Sequence, residues 1–314
     1  NEGWAHSMAV EFLVVGELSE AWIGPVVAAG QGAMTVAVVQ PGQTVDTSAV
    51  RILVGAPPDL APIICECPQL QWVQSTWAGV DALLGLVPKG VQVTPLKGVF
   101  GQAMSEFVLG WLLALERNII ARANCKHWLP EVEAGLSGKR LGIMGAGTIG
   151  SVVAKQAANI GLVVTGLNSR GQSAPGFRAC YPSTERLEFA QGLDYVVNLL
   201  PSTPATDGIV DAKFFAAMNS GSIFINAGRG NAVVDADLIN ALRLEVLRYA
   251  VLDVFAQEPL EDTNALWEVP GLFITSHTAA PTPSEAIPEV FARNLAPFLA
   301  GAPLADAMSP ERGY

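Results

Sequence analysis

Residues 140–150 read RLGIMGAGTIG, and this stretch decides the fold. The apolar run 141–144 reads as a buried strand, and Gly145, Gly147 and Gly150 follow it in the spacing G-x-G-x-x-G. Thr148 and Ile149 then open an amphipathic helix that runs through Ala154 and Ala158. Strand, glycine turn and helix in this order point to a dinucleotide-binding turn, against the competing reading of an ordinary glycine loop. Gly145 permits the tight turn, Gly147 lets backbone approach a pyrophosphate, and Gly150 lets the helix pack closely on the strand. The helix N-terminus offers the phosphates free N–H groups and the positive end of its dipole.

The end of the next strand bears on which dinucleotide is bound. An NAD enzyme usually carries an acidic residue there for the ribose hydroxyls, but this chain reads Gly166, Leu167, Asn168, Ser169, Arg170. Asn168 removes a negative charge that would repel a 2′-phosphate, Arg170 can pair with that phosphate, and Ser169 can donate to it. The expected cofactor is therefore NADP (NADPH), with NAD as the alternative. The bland reading is a solvated turn with an incidental arginine.

On either side of this stretch the same rhythm recurs. The runs EFLVVGEL, MTVAVVQ, VRILVGAPP and LQWVQST come before it, and LVVTGLN, LDYVVNLLP, GSIFINAGRG, YAVLDVF and LFITSHTAA after it. Short apolar runs separated by helical stretches predict parallel sheets covered by helices. Residues 101–123, with Met104, Phe107, Val108, Trp111, Leu112 and Leu115 at helical spacing, predict one long helix crossing between domains or subunits. Residues 284–300 predict a terminal helix able to pack back on the first domain.

Composition narrows the function. A chain of 314 residues suits two domains, and 50% hydrophobic with 15% charged residues gives ample core. A net charge of -11 argues against nucleic acid or an anionic membrane as partner. No apolar run is long enough to span a membrane. Residues 1–7 lack the features of a secretory signal and read as a remnant preceding Met8. Cys65, Cys67, Cys125 and Cys180 match neither a disulfide framework nor a zinc site, so no metal is expected and a reducing cytoplasm fits.

Histidine is scarce: His6, His127 and His277. His6 falls in the remnant, and His127 beside Trp128 reads as structural. His277 ends the run LFITSH, and two other strand ends supply Arg229, after SIFINAG, and Glu258, after VLDVFAQ. Reducing a 2-keto acid needs a cation for the carboxylate, an acid for the nascent alkoxide and a partner that keeps the acid charged. These three side chains meet those needs; the competing readings are a structural ion pair for Arg229 and a surface carboxylate for Glu258.

With GVFGQAMSEFVLGWLLALERN, GAGTIG, INAGRG, LDVFAQEPL and SHTAAPT in order, the chain resembles the D-isomer-specific 2-hydroxyacid dehydrogenase family from about residue 10 onward. Within that family it is most similar to glyoxylate/hydroxypyruvate reductases and 2-ketoacid reductases. The resemblance implies that Arg229 binds the substrate carboxylate, His277 donates the proton and Glu258 supports His277. It also implies that the loop of Trp77, Ala78, Gly79 and Val80 meets the substrate carboxylate, although Trp77 also reads as core. Gly145, Gly147, Thr148, Ile149, Gly150, Asn168, Ser169 and Arg170 would serve the cofactor. So would Pro201 and Thr206 on the adenine side, Ala227, Gly228, His277 and Ala279, and Asp253 at the nicotinamide amide.

The expected fold is α/β, two Rossmann-like domains with parallel sheets. A dinucleotide-binding domain, residues 100–281, is inserted into a discontinuous flavodoxin-like substrate domain, residues 8–99 and 282–314. The expected assembly is a homodimer, and Trp77 with Trp111 predicts a small or apolar substrate side group. Two departures stand out: Ser276 where a proline usually precedes the histidine, and LRLEVLRYAVLDVF without its usual glycines. The alternative function is a dinucleotide-sensing binding protein of the corepressor type.

Overall fold

The computed structural model describes residues 9–308; residues 1–7, expected above to be a remnant, and His6 among them lie outside the described residues. The chain divides into two compact units, one of residues up to Val99 and from Thr282, the other Phe100–Pro281.

In the first unit β1 (Phe12–Val15), β2 (Val36–Val39), β3 (Ile52–Gly55), β4 (Trp72–Ser75) and β5 (Gln92–Thr94) pair in parallel in the order β2-β1-β3-β4-β5. This is the flavodoxin-like order of a doubly wound sheet. The central strands FLVV and ILVG are buried throughout, because a parallel sheet is covered on both faces. Helices α1 (Ile23–Gly30) and α2 (Pro57–Ile64) cover it, and α2 starts on Pro57 and Pro58, where a missing N–H costs nothing. The C-terminal helix Ile287–Leu299 packs on α1, and its Phe291 stacks on Phe12 and Trp72 at centroid distances of 5.1 and 5.2 Å. The sequence pattern did not reveal β5, whose buried Thr94 is polar. That hydroxyl is satisfied by the Trp72 indole N–H at 2.8 Å and Gln74 Oε1 at 2.7 Å.

The second unit opens with α3 (Gly101–Glu116) and α4 (Ile119–Ala123). Its strands are β6 (Arg140–Met144), β7 (Val163–Asn168), β8 (Ala179–Pro182), β9 (Tyr195–Asn198), β10 (Ser222–Asn226), β11 (Leu247–Leu252) and β12 (Leu272–Ile274). Its remaining helices are α5 (Thr148–Asn159), α6 (Arg186–Ala190), α7 (Ala212–Ala217) and α8 (Asp235–Arg243). The sheet runs β12-β11-β10-β9-β6-β7-β8, all parallel. Strand order reverses at β6, and ligands of such sheets bind beyond the strand ends at that reversal. The edge strand β8, also absent from the sequence reading, is only partly buried and ends on Pro182, which an edge tolerates.

The single helix expected over residues 101–123 is two. Asn118 separates them in the left-handed region at φ 48°, a conformation asparagine tolerates. Its side chain donates to Glu133 at 2.9 Å, and Arg122 meets the same carboxylate at 2.9 Å. The break is thus pinned by an acid that helical periodicity does not display. The missing glycines have a local consequence: after α8, Glu245 takes φ 57°, where glycine would sit without strain.

Among the described residues no helix is long and apolar enough to cross a membrane. Among them, too, no group of three or more His, Cys, Asp or Glu side chains could hold a metal ion.

Candidate active site

The glycine turn follows β6, at the strand-order reversal. Gly145 has φ 102°, and a Cβ there would meet the Leu199 carbonyl oxygen at 2.9 Å, so only glycine fits. A Cβ on Gly150 would collide with the Gly145 carbonyl oxygen, while one on Gly147 would meet nothing within 4 Å. Space is therefore closed beneath the turn and open above it. Thr148 and Ile149 stand in the first turn of α5, whose N–H groups have no partner inside the helix. Open space, free donors and the positive helix end together fit a dinucleotide pyrophosphate.

At the end of β7, Asn168 shapes the turn. Its Oδ1 accepts the N–H groups of Arg170 and Gln172, both at 3.1 Å, and its Nδ2 donates to the Gln172 carbonyl at 2.7 Å. Ser169 and Arg170 are exposed, and Arg170 has no side-chain partner among the described residues. After β9, Thr206 ties its own loop by donating to the Pro201 carbonyl oxygen at 2.7 Å. Beside that loop lies a cleft of about 360 Å³ lined by Ser183, Thr184, Arg186, Ala205, Asp207, Gly208 and Ile209.

Three adjacent strand ends position the candidate reacting groups. Arg229 follows β10 and is partly buried, with Nη1 donating to the Gly228 carbonyl at 2.8 Å. Glu258 follows β11; its Oε1 accepts the Phe255 N–H at 2.8 Å, and its Oε2 stands 2.8 Å from His277 Nδ1. Carboxylate oxygens only accept, so Nδ1 carries a hydrogen, and Nε2 is the ring nitrogen without a partner among the described residues. The imidazole is half exposed, at 53%.

Asp253 organises the loop that carries His277. It is buried at 1%, and its Oδ1 accepts from Thr275 Oγ1 at 2.6 Å and Thr278 N at 2.8 Å. Oδ2 accepts the N–H of Ala279 at 3.0 Å. Three of about four lone-pair sites are thus taken, which leaves one open. Ser276 is exposed, and the bonds from Asp253 on both sides hold the loop without the usual proline.

Sequence reasoning missed Asn198 and Asn226, both 0% exposed, which end β9 and β10. Their signal was a polar residue closing the apolar runs VVN and FIN. Trp111 packs on Phe107 and Phe273 at 6.4 and 5.3 Å, so its ring is taken up in the packing of its own unit. His127 is exposed, with Nδ1 3.4 Å from the Cys125 sulfur.

In the first unit, Trp77 is 45% exposed, which excludes the reading as core. Its N–H is held by Ser75 Oγ at 2.9 Å, so Ala78, Gly79 and Val80 supply the loop's other N–H groups.

Residues 109–279 match the family described as D-isomer specific 2-hydroxyacid dehydrogenase, NAD binding domain. A glyoxylate/hydroxypyruvate reductase A of Serratia proteamaculans is 32% identical over 286 residues, covering 88% of this chain and 90% of its own. A D-isomer specific 2-hydroxyacid dehydrogenase from Xanthobacter autotrophicus Py2, solved with NADPH and MES, superposes with TM-score 0.86 at 31% identity over 98% of this chain and 100% of its own. An NADPH-dependent glyoxylate/hydroxypyruvate reductase from Sinorhizobium meliloti, solved with NADP and sulfate, gives 0.84 at 29% identity over 97% and 100%. The chain belongs to the D-isomer specific 2-hydroxyacid dehydrogenase family. It is an NAD(P)-dependent oxidoreductase built on a Rossmann fold.

Proposed function

We propose that this enzyme reduces small 2-keto acids, glyoxylate and hydroxypyruvate among them, to D-2-hydroxy acids and prefers NADPH. The observation that carries the reading is the 2.8 Å bond between His277 Nδ1 and Glu258, an oriented imidazole with a carboxylate behind it. When bound, the reduced nicotinamide supplies the hydride added to C2 of the keto acid. Arg229 holds the substrate carboxylate and polarises the keto oxygen. His277, as imidazolium, gives the Nε2 proton to the developing alkoxide, and Glu258 stabilises that charged form.

Asp253, Ala227, Gly228 and Ala279 frame the nicotinamide side in this reading, and Pro201 and Thr206 the adenine side. Ser169 and Arg170 meet the 2′-phosphate, and residues 77–80 keep their part in holding the substrate carboxylate. The relatives solved with NADPH or NADP support the cofactor choice.

A homodimer in the cytoplasm completes the proposal. The segment after α4 exposes Trp128 at 89% and Val132 at 95%, and α3 and α4 together bear a groove of about 320 Å³ lined by Phe107, Trp111 and Ile120 among others. Exposed apolar knobs and a groove on one chain suit a self-complementary interface. A monomeric mass by light scattering would sink the dimer. Four free cysteines suit a reducing compartment.

The test is oxidation of NADPH and of NADH with glyoxylate, hydroxypyruvate and phenylpyruvate, followed by nicotinamide absorbance. Saturable turnover with NADPH supports the reading. No turnover with either cofactor moves the function to dinucleotide sensing, and a strong NADH preference overturns the cofactor choice.

A further inference from the structure

We infer that Asn198 and Asn226 are positioning residues that couple the cofactor turn to Arg229; this rests on Arg229 holding the substrate carboxylate. The two side chains lie in register on neighbouring strands and are fully buried. Asn198 Oδ1 accepts the Leu200 N–H at 3.2 Å, and its Nδ2 donates to Asn226 Oδ1 at 2.9 Å. Asn226 Oδ1 also accepts the Gly228 N–H at 3.2 Å, while its Nδ2 donates to the Arg229 carbonyl at 3.1 Å. Each amide orientation is forced, because a peptide N–H only donates and a carbonyl only accepts.

Burying an amide is unfavourable unless it is bonded, and an aliphatic residue would fill a strand end at lower cost. What the pair adds is a fixed relation between three turns. A Cβ on Gly145 would meet Leu199 O at 2.9 Å, and one on Gly228 would meet both Leu200 N and O at 2.8 Å. The phosphate turn, the Leu199 turn and the Gly228 turn are therefore stacked backbone on backbone, with the asparagine pair pinning the last two. The Arg229 guanidinium is itself anchored on the Gly228 carbonyl. A shift at Leu200 moves Gly228, and with it the guanidinium.

The experiment compares Asn226→Asp and Asn198→Ala with the parent enzyme. Asp at 226 keeps the size but replaces the donor to Arg229 with an acceptor. Asn198→Ala leaves Arg229 and its loop chemically untouched. Binding of oxamate, an unreactive keto-acid isostere, to the enzyme–NADPH complex is measured beside keto-acid kinetics and thermal melting.

Both variants are expected to weaken oxamate binding and raise keto-acid KM about tenfold, less than the roughly hundredfold that a 1 Å misplacement of a reacting group can cost. The double variant Asn198→Ala/Asn226→Asp should be no worse than the weaker single one, because the two act as a unit. A folded variant of either kind with lowered melting temperature but oxamate affinity and KM within twofold of the parent overturns the inference, since a purely structural role moves stability alone. If Asn226→Asp does not fold, Asn198→Ala decides. A parent enzyme that binds NADPH but neither turns over keto acids nor binds oxamate fails at the function reading instead.

Discussion

The peptide N–H of His277 donates to the carbonyl oxygen of Asp253 at 2.7 Å, and this bond holds a histidine whose φ is 56°. Left-handed backbone is costly for a side-chain-bearing residue and persists where its surroundings over-determine it. Here the carboxylate of Asp253 takes Thr275, Thr278 and Ala279 as well.

That geometry selects the informative variant. Asparagine tolerates the left-handed region, so His277→Asn removes the imidazole at small backbone cost. Keto-acid reduction should fall by about 10²–10⁴-fold, the range for a general acid, with the melting temperature close to the parent's. Turnover within tenfold of the parent would remove His277 from proton transfer.

Glu258→Gln keeps one acceptor oxygen, for the Phe255 N–H, puts a donating NH2 toward His277 Nδ1, and loses the negative charge. Charge-assisted bonds are roughly twice as strong as neutral ones, so kcat should fall about 10- to 100-fold. An unchanged kcat means that the carboxylate only orients the ring.

Arg170 is exposed at the end of β7, and its side chain has no partner among the described residues. A bond to a charged group contributes about 1.5–3 kcal/mol, so Arg170→Ala should weaken NADPH binding about 10- to 100-fold and leave NADH alone. Equal losses for both cofactors in titration would place Arg170 away from the 2′-phosphate.

Glu116, 2% exposed at the end of α3, meets Lys139 and Arg248. Burial pushes its carboxyl up, but the hydrogen bond from Lys139 and the charges of Arg248 and Lys139 outweigh burial and hold it below the ordinary value. A carboxyl lowered on folding stabilises above its unfolded value, about 4.3, and that stability drains away as pH falls through the folded value. Melting temperatures should therefore drop more steeply in acid for the parent than for Glu116→Gln; parallel curves would contradict this.

Glu245 holds φ 57° in a position suited to glycine. Glu245→Gly should stabilise the fold by about 1 kcal/mol, the strain of left-handed backbone relieved. A lower denaturation midpoint would show that the Glu245 side chain contributes more than its strain costs.

The strand and glycine signals were legible because parallel strands are apolar throughout and because the turn at Gly145 admits no Cβ. β5 was hidden by a buried threonine bonded to Trp72 and Gln74, partners about twenty residues away along the chain. The break at Asn118 was hidden for a similar reason, its carboxylate partner lying at Glu133. In the site, residues that would face substrate announce themselves by chemical type. Asn198, Asn226 and Thr275 bond to other residues of the site; a polar residue closing an apolar run marks the asparagines in the sequence, and geometry shows what they hold.

The ring of Phe291 closes the core of the first unit between Phe12 and Trp72, so ribosomal synthesis supplies its last structural piece only after all of the second unit has been made. At about 5–20 residues per second, the five-stranded sheet waits roughly 10–40 s, its apolar face uncovered while its neighbour completes itself. The inserted unit should mature first although its chain begins later. Nascent chains stalled before residue 282 should yield protease-resistant second units and digestible first ones; equal resistance would mean that the sheet closes without its terminal helix.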